Sequence, residues 1–272
     1  MNIILTTIIV LGMTGIVAAV VLWFVAKRFH VYENPRIAEI EELLPGANCG
    51  SCGYSGCHAF AVACVEATSL DGIECPITSN ATMHEIGEIV GLAAAENTAR
   101  VAIVKCNGTC ENRPPLNRWQ GPRSCALEAS LYVGQSDCAN GCLGCGDCVA
   151  ACPFDAIAMN QESGLPLVDY GKCVGCGRCV AACPRGVMDL AVFDASKPLV
   201  HVACNNHDRG PAAMKECKVS CIGCGKCVKV CPAGAVAVKE FLAGIDSEKC
   251  TGCGTCVEAC PRNSITSYNK ES

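Results

Sequence analysis

The chain has 272 residues, of which 27 are cysteine; hydrophobic residues make up 51%, charged residues 17%, and the formal net charge is −5. Disordered chains are poor in apolar residues and rich in charge, so disorder is excluded, and the acidic balance argues against the basic surface of a nucleic-acid binder. An odd cysteine count, tight C-x-x-C spacing and a length of about two folded units at roughly 100–200 residues per domain also exclude a small disulfide scaffold; with aromatics at only 5%, the composition is that of a metalloprotein.

Residues 3–26 carry no charged side chain and are almost all apolar, and Lys27-Arg28 come directly after them. About 20 apolar residues span a bilayer as a helix. A cleaved leader would start with a basic segment and end at a small-residue site. Here Met1-Asn2 is uncharged and the basic pair lies on the other flank, so residues 1–28 read as an uncleaved transmembrane anchor. The positive-inside rule puts the remainder of the chain on the cytoplasmic face of the inner or plasma membrane. In that reducing compartment thiolates bind metal and seldom pair. Gly15 and Ala19 share the small-xxx-small spacing that lets another membrane helix approach.

Residues 29–45 read as a linker and an amphipathic helix ending at Pro45-Gly46, within a 29–48 segment that leads to the first cysteines. Cys49-x2-Cys52-x4-Cys57 comes next, with Cys75-Pro76 beyond it, and the interspersed glycines let the backbone wrap a bulky ligand. This set predicts a small helical [4Fe–4S] domain over 49–104, with helices over 58–68 and 83–104. Cys64, inside the first of these, is expected to pack as a small apolar side chain.

From residue 138 the chain repeats itself. Cys142-x2-Cys145-x2-Cys148-x3-Cys152-Pro153 recurs at Cys173, Cys176, Cys179 and Cys183-Pro184, at Cys221, Cys224, Cys227 and Cys231-Pro232, and at Cys250, Cys253, Cys256 and Cys260-Pro261. Short β-prone stretches (157–159, 167–168, 236–238) lie between the arrays. A larger duplication encloses them: Cys138 precedes Cys142 as Cys217 precedes Cys221, and VAIVKC ending at Cys106 matches HVAC ending at Cys204.

C-x2-C-x2-C-x3-C-P is the bacterial ferredoxin signature for [4Fe–4S] clusters, with the fourth Cys serving the partner cluster. Structural zinc instead takes two well-separated knuckles. The expected sets are therefore Cys142, Cys145, Cys148 and Cys183; Cys173, Cys176, Cys179 and Cys152; Cys221, Cys224, Cys227 and Cys260; and Cys250, Cys253, Cys256 and Cys231. Cys49, Cys52, Cys57 and Cys75 make a fifth. Cys106, Cys110, Cys125 and Cys138 form another set of four that could hold a sixth. The rival readings are that the pairs Cys106/Cys138 and Cys204/Cys217 sit together, or that these cysteines pack as free thiols.

The expected fold is α+β: one transmembrane helix, the small helical domain, a connecting segment over 105–138, and two tandem 2[4Fe–4S] ferredoxin modules over 139–200 and 201–272. Each cluster with four thiolates carries about −2. Lys172, Arg178, Arg185, Lys215, Lys218, Lys226, Lys229 and Lys249 beside the arrays would offset that charge and could steer an acidic donor. Neither a G-x-G-x-x-G opening a helix nor a phosphate-binding G-x4-G-K-[ST] occurs, and no catalytic triad stands out. Wiring is expected rather than a substrate pocket.

The order of one membrane helix, PGANCGSCGYSGC over 45–57, KCNGTC at Cys106, GCLGCGDC at Cys145 and tandem ferredoxin arrays resembles the B-subunit family of the Rnf complex over nearly the whole chain. Rnf is a membrane assembly that couples electron flow between ferredoxin and NAD⁺ to sodium or proton transport. The resemblance implies an electron-input component of a translocase, with reduced ferredoxin as donor and further membrane and peripheral subunits as partners. Flavin and NAD would belong to other chains. The alternatives are an iron–sulfur subunit of another membrane dehydrogenase or reductase, or a redox-sensing or cluster-storage protein.

Overall fold

The computed structural model describes residues 3–28, 33–94 and 98–269; residues 29–32 of the expected linker and 95–97 of the expected second helix lie outside them. Helix α1 (Ile3–Arg28) has 26 residues, about 39 Å at 1.5 Å per residue, enough to cross a bilayer. Its central stretch, Ile8–Val25, has a mean hydropathy of 2.7 and none of it is buried against protein. Lys27 and Arg28 close the last turn, and the Lys27 ammonium lies 5.1 Å from the Trp23 ring centre.

Helix α2 (Pro35–Leu43) starts where Asn34 accepts from the Arg36 N–H and Pro35 presets φ. It buries Ile37 and Ile40, three residues apart on one face. Helices α3 (Cys57–Glu66) and α4 (Asn80–Val90) complete a small core around Ile40, Phe60, Leu70, Met83 and Ile86. Cys64 is fully buried in that core, and burial pushes its thiol up to about 11. Cys49, Cys52, Cys57 and Cys75 already make up the four expected ligands of this domain without it. Cys64→Ala is expected to cost about 1–2 kcal/mol of stability through the small cavity it leaves, with iron per chain unchanged; a loss of iron alongside the lowered Tm would make Cys64 a ligand.

Ser79 caps α4 by accepting from the Thr82 N–H (3.2 Å), and left-handed Gly91 (φ 78) ends it. The helix expected over 83–104 therefore stops early. Strand β1 (Arg100–Val104) comes after it, because its β-branched residues find a partner strand far along the chain.

Beyond β1 come α5 (Cys125–Leu131), α6 (Asp147–Ala150), β2 (Ile157–Met159), β3 (Pro166–Val168), α7 (Arg178–Ala182) and β4 (Met188–Val192). Strand β1 pairs antiparallel with β4, Arg100 opposite Val192 and Val104 opposite Met188, while β2 and β3 form a hairpin. The pattern then recurs: β5 (Leu199–Val202), α8 (Gly210–Glu216), α9 (Lys226–Val230), β6 (Val236–Lys239), β7 (Leu242–Ile245), α10 (Thr255–Ala259) and β8 (Ile265–Tyr268). Strand β5 pairs with β8, and β6 with β7. Each half is thus a hairpin plus a strand pair that joins its first and last elements. Strand β1 lies ahead of the 105–138 segment expected to connect the N-terminal domain to the first module, so that segment is an excursion within the first half.

The halves pack through Val101, Ile103, Ala191 and Leu199, with Tyr170 stacked on Phe193 and 4.3 Å from Tyr268 between ring centres. Within each half, cysteines take the place of aliphatic core. Cys148 and Cys179 pack with Ala102, Ile157 and Met188; Cys221, Cys227 and Cys256 pack with Val200, Val236 and Leu242.

Candidate metal centres

The four arrays fold alike. In each, a glycine in the left-handed region (Gly146, Gly177, Gly225, Gly254) precedes a helix of one turn, and the third array cysteine lies buried in it. A second left-handed glycine sits one residue before the middle cysteine: Gly144, Gly175, Gly223 and Gly252. A Cβ at these four would come 2.9 Å from Gly164 O, 2.3 Å from Arg100 O, 2.7 Å from Phe241 O and 2.7 Å from Pro198 O respectively. Each array loop is therefore clamped against backbone at a point where only glycine fits.

The clamped loops leave thiol-lined cavities. Cys221, Cys224, Cys227 and Cys260 surround one of about 350 Å³. These are the four predicted together, three from one array and the last from the next. In the first half, Cys142, Cys148 and Cys183 line a cavity of about 390 Å³. There Cys125 also lines the wall, whereas the Cys145 Sγ is turned to the fully buried Glu128 (3.1 Å to Oε2). Cys125 is held by the start of α5, where Ser124 Oγ and the Ala126 N–H both donate to Asp147 Oδ2 at 3.0 Å.

In the remaining sets most of the cysteines pack in the same core clusters and lie near enough to raise one another's thiols. Cys173 and Cys176 act on Cys179, and Cys152 acts on Cys176. Cys250, Cys253 and Cys231 act on Cys256. In the N-terminal domain Cys75 and Cys49 act on Cys52, and Cys52, Cys57 and Cys75 all pack on the same core. The Cys57 N–H donates to Asn48 Oδ1 (2.8 Å), closing the loop that carries Cys49 and Cys52.

These cavities fit iron–sulfur clusters in their donors. Backbone N–H groups point at the sulfurs: Ala102 to Cys173 (3.3 Å), Val187 to Cys183 (3.3 Å), Ala243 to Cys221 (3.5 Å) and Ser264 to Cys260 (3.4 Å). Such bonds stabilise negative charge on sulfur. Burial pushes the free thiols of Cys142 and Cys179 up to about 12 and that of Cys148 up to about 11, so metal binding must displace their protons. At the solvent edge, Cys224 and Cys253 are exposed. The Thr255 hydroxyl donates to Cys253 (3.4 Å) and holds its thiol below the ordinary range.

The structure does not gather Cys106, Cys110, Cys125 and Cys138. Cys110 is exposed beside Ser163 O (3.8 Å), Cys125 lines the first-half cavity, and Cys106 and Cys138 line another cavity together with Cys204 and Cys217. Arg185 also departs from expectation. It points inward, donating to Val133 O, Gly141 O (3.3 Å) and Cys138 O (3.4 Å), because the excursion folds over it. Lys172, Arg178, Lys215, Lys218, Lys226, Lys229 and Lys249 are exposed.

Comparison with known proteins agrees with this chemistry. A 4Fe-4S dicluster domain model matches residues 141–194 and 220–265, a 4Fe-4S double cluster binding domain model matches 172–234, and an Fe-S cluster model matches 44–76. The chain is 42% identical over 250 residues to the B subunit of the Na(+)-translocating ferredoxin:NAD(+) oxidoreductase complex of Acetobacterium woodii, covering 92% of this chain and 73% of the relative. It is 42% identical to the B subunit of the ion-translocating oxidoreductase complex of Methanosarcina acetivorans, covering 91% and 92%. A third relative, the B subunit of the proton-translocating ferredoxin:NAD(+) oxidoreductase complex of Clostridium ljungdahlii, is 39% identical over 90% of this chain and 85% of its own length.

Proposed function

This chain belongs to the B-subunit family of the Rnf complex, and from that premise we propose that it takes electrons from reduced ferredoxin at the cytoplasmic face and delivers them to the membrane subunits of an ion-translocating ferredoxin:NAD⁺ oxidoreductase. As an iron–sulfur electron-transfer subunit it works with other chains, which bind flavin and NAD. The two halves act as tandem 2[4Fe–4S] ferredoxin modules, and Cys49, Cys52, Cys57 and Cys75 hold the cluster nearest the anchor.

The observation that carries this reading is the proximity of the N-terminal domain to the first half's arrays. Cys49 lies close enough to Cys176 that, after burial, its charge helps to push the Cys176 thiol up. Cysteine sets therefore extend from the domain beside the anchor into the first half, while at the other end Cys224 and Cys253 open to solvent with Lys226, Lys229 and Lys249 exposed nearby. A bound [4Fe–4S] cluster supplies one-electron transfer, at a potential within roughly −700 to +450 mV. The chain's own residues hold that ligand, keep water from its inner faces and set its potential through the N–H donors to Cys173, Cys183, Cys221 and Cys260. The lysines offer an acidic donor a landing surface whose attraction weakens as salt rises.

Sealed membrane vesicles carrying the complex test the proposal. Inverted vesicles, cytoplasmic face outward, are expected to reduce external NAD⁺ with reduced ferredoxin, and right-side-out vesicles are not. Cys179→Ala should keep the chain in the membrane yet lower that rate by about tenfold or more, the scale of about 1.4 kcal/mol on a barrier. An unchanged rate in Cys179→Ala, or activity only in right-side-out vesicles, would overturn it and favour another dehydrogenase component or a sensor.

A further inference from the structure

Cys106, Cys138, Cys204 and Cys217 lie far apart in sequence, yet they line one cavity of about 300 Å³ where the two halves meet. It is close in size to the cavity of about 350 Å³ around Cys221, Cys224, Cys227 and Cys260. The two halves contribute equivalent residues. Cys106 stands just after β1 as Cys204 stands just after β5, and Cys138 and Cys217 each lie ahead of the first cysteine of an array.

The walls are built by bonds that cross between the halves. The Asn107 N–H donates to Ala203 O (2.9 Å) and the Lys218 N–H to Asn112 O (2.9 Å). Asn140 Nδ2 donates to Asn206 Oδ1 (3.2 Å); within the second half, Arg262 Nη2 donates to Cys217 O (3.1 Å) and fixes that corner of the wall. The Cys221 N–H points at Cys204 Sγ (3.2 Å), the same kind of contact the array sulfurs receive. Cys106 exerts its field on Cys138, Cys204 and Cys217 alike.

A cation points to the charge of the occupant. The half-buried Arg113 lines the cavity; its Nη2 donates to Cys142 O, while its Nε is buried with no hydrogen-bond partner. It packs so tightly that a Cβ on Gly141 would come 2.3 Å from its Nη1, and one on Gly108 would come 3.2 Å from its Nε and 3.4 Å from Cys106 Sγ. Beside four neutral thiols the guanidinium has no counter-charge at this wall, and its buried Nε is left without an acceptor. Beside four thiolates and a cluster of about −2 it is compensated. Size separates a cluster from one zinc ion: among the described residues no three Cys, His, Asp or Glu side chains converge closely enough to hold a single metal, here or in the arrays.

We propose that Cys106, Cys138, Cys204 and Cys217 are the ligands of a further [4Fe–4S] cluster, seated between the two halves. The cavity also has neighbours on both sides: Cys106 acts on Cys142 of the first half, and Cys204 adjoins Cys221 of the second. The site thus fills what is otherwise a gap between the two sets of array cysteines.

The proposal rests on the reading that the arrays hold cubanes, and its test is kept separate from ferredoxin oxidation. The full-length chain, purified anaerobically, is expected to carry about 24 iron and 24 acid-labile sulfide, and native mass spectrometry should show the same load. Cys106→Ala combined with Cys204→Ala should lose about four of each, while Cys110→Ala loses none. A native load of about 20, an unchanged load in the double variant, or zinc that disappears with those two cysteines would overturn the assignment. Because the native count comes from the unsubstituted chain, a double variant that fails to fold leaves the test decisive. Vesicles that fail to oxidise ferredoxin would undo the proposed function and leave this count standing.

Discussion

A chain carrying Gly175→Ala is expected to lose about four irons, those of the cluster proposed on Cys173, Cys176, Cys179 and Cys152. Two costs add at this position. Gly175 has φ +66, where any other residue costs about 1–2 kcal/mol. The new methyl would also stand 2.3 Å from Arg100 O and 2.8 Å from its carbonyl carbon, and backbone cannot rotate away as a side chain can. Relief requires pushing β1 off the array, at about 1–3 kcal/mol for an overpacked contact. Moving β1 also withdraws the Ala102 N–H from Cys173 Sγ. Gly225→Ala and Gly254→Ala isolate the first cost: their φ values are +70 and +75, and nothing lies within 4 Å of the added carbon. Both should keep their iron with a modestly lowered Tm. A Gly175→Ala chain with its full load of iron would show that the clamp against Arg100 does not hold the loop.

The second large effect concerns which cysteines share a cluster. Cys260→Ala should remove about four irons, and adding Cys224→Ala should remove no more, whereas adding Cys253→Ala should bring the loss to about eight. The reason is that Cys260 faces the cavity of Cys221, Cys224 and Cys227 rather than that of its own array, while Cys231 acts on Cys256 from the other side. Alanine is the substitution to use, because serine can ligate through oxygen. If each array instead supplied all ligands to its own cluster, the two double variants would exchange results. Iron and sulfide per chain decide the matter without any assay of electron transfer.

How much of the molecule is legible in the sequence depends on how local each signal is. The membrane helix is one uninterrupted apolar run, and α1 occupies it to within a residue or two. The array spacing is set by a loop of a few residues, so the cysteine triplets can be read directly, as can the β-prone stretches that become β2, β3 and β6. Strand β1 looks helical in sequence because an apolar run such as VAIV has no period of its own. Only β4, nearly ninety residues later, makes it a strand. Distance also misleads the grouping of Cys106, Cys110, Cys125 and Cys138. They are neighbours in sequence, but the excursion sends Cys110 and Cys125 elsewhere while the internal duplication brings Cys204 and Cys217 back. The duplicated pairs are the informative signal there. The inward turn of Arg185 and the buried Glu128 against Cys145 leave no mark in the sequence, because each depends on how the excursion folds over the first half.

The strand pairs β1–β4 and β5–β8 have a consequence for ancestry. Each pair brings the beginning and the end of its half side by side, Arg100 against Val192 and Leu199 against Tyr268. A unit whose ends meet can be copied, lost or interrupted in a gene without parting its neighbours, since insertion and excision are tolerated where termini adjoin at a surface. Recombination could therefore lengthen or shorten such a protein by one whole electron-carrying unit at a time, and later wedge a long insertion into one copy while leaving the other untouched.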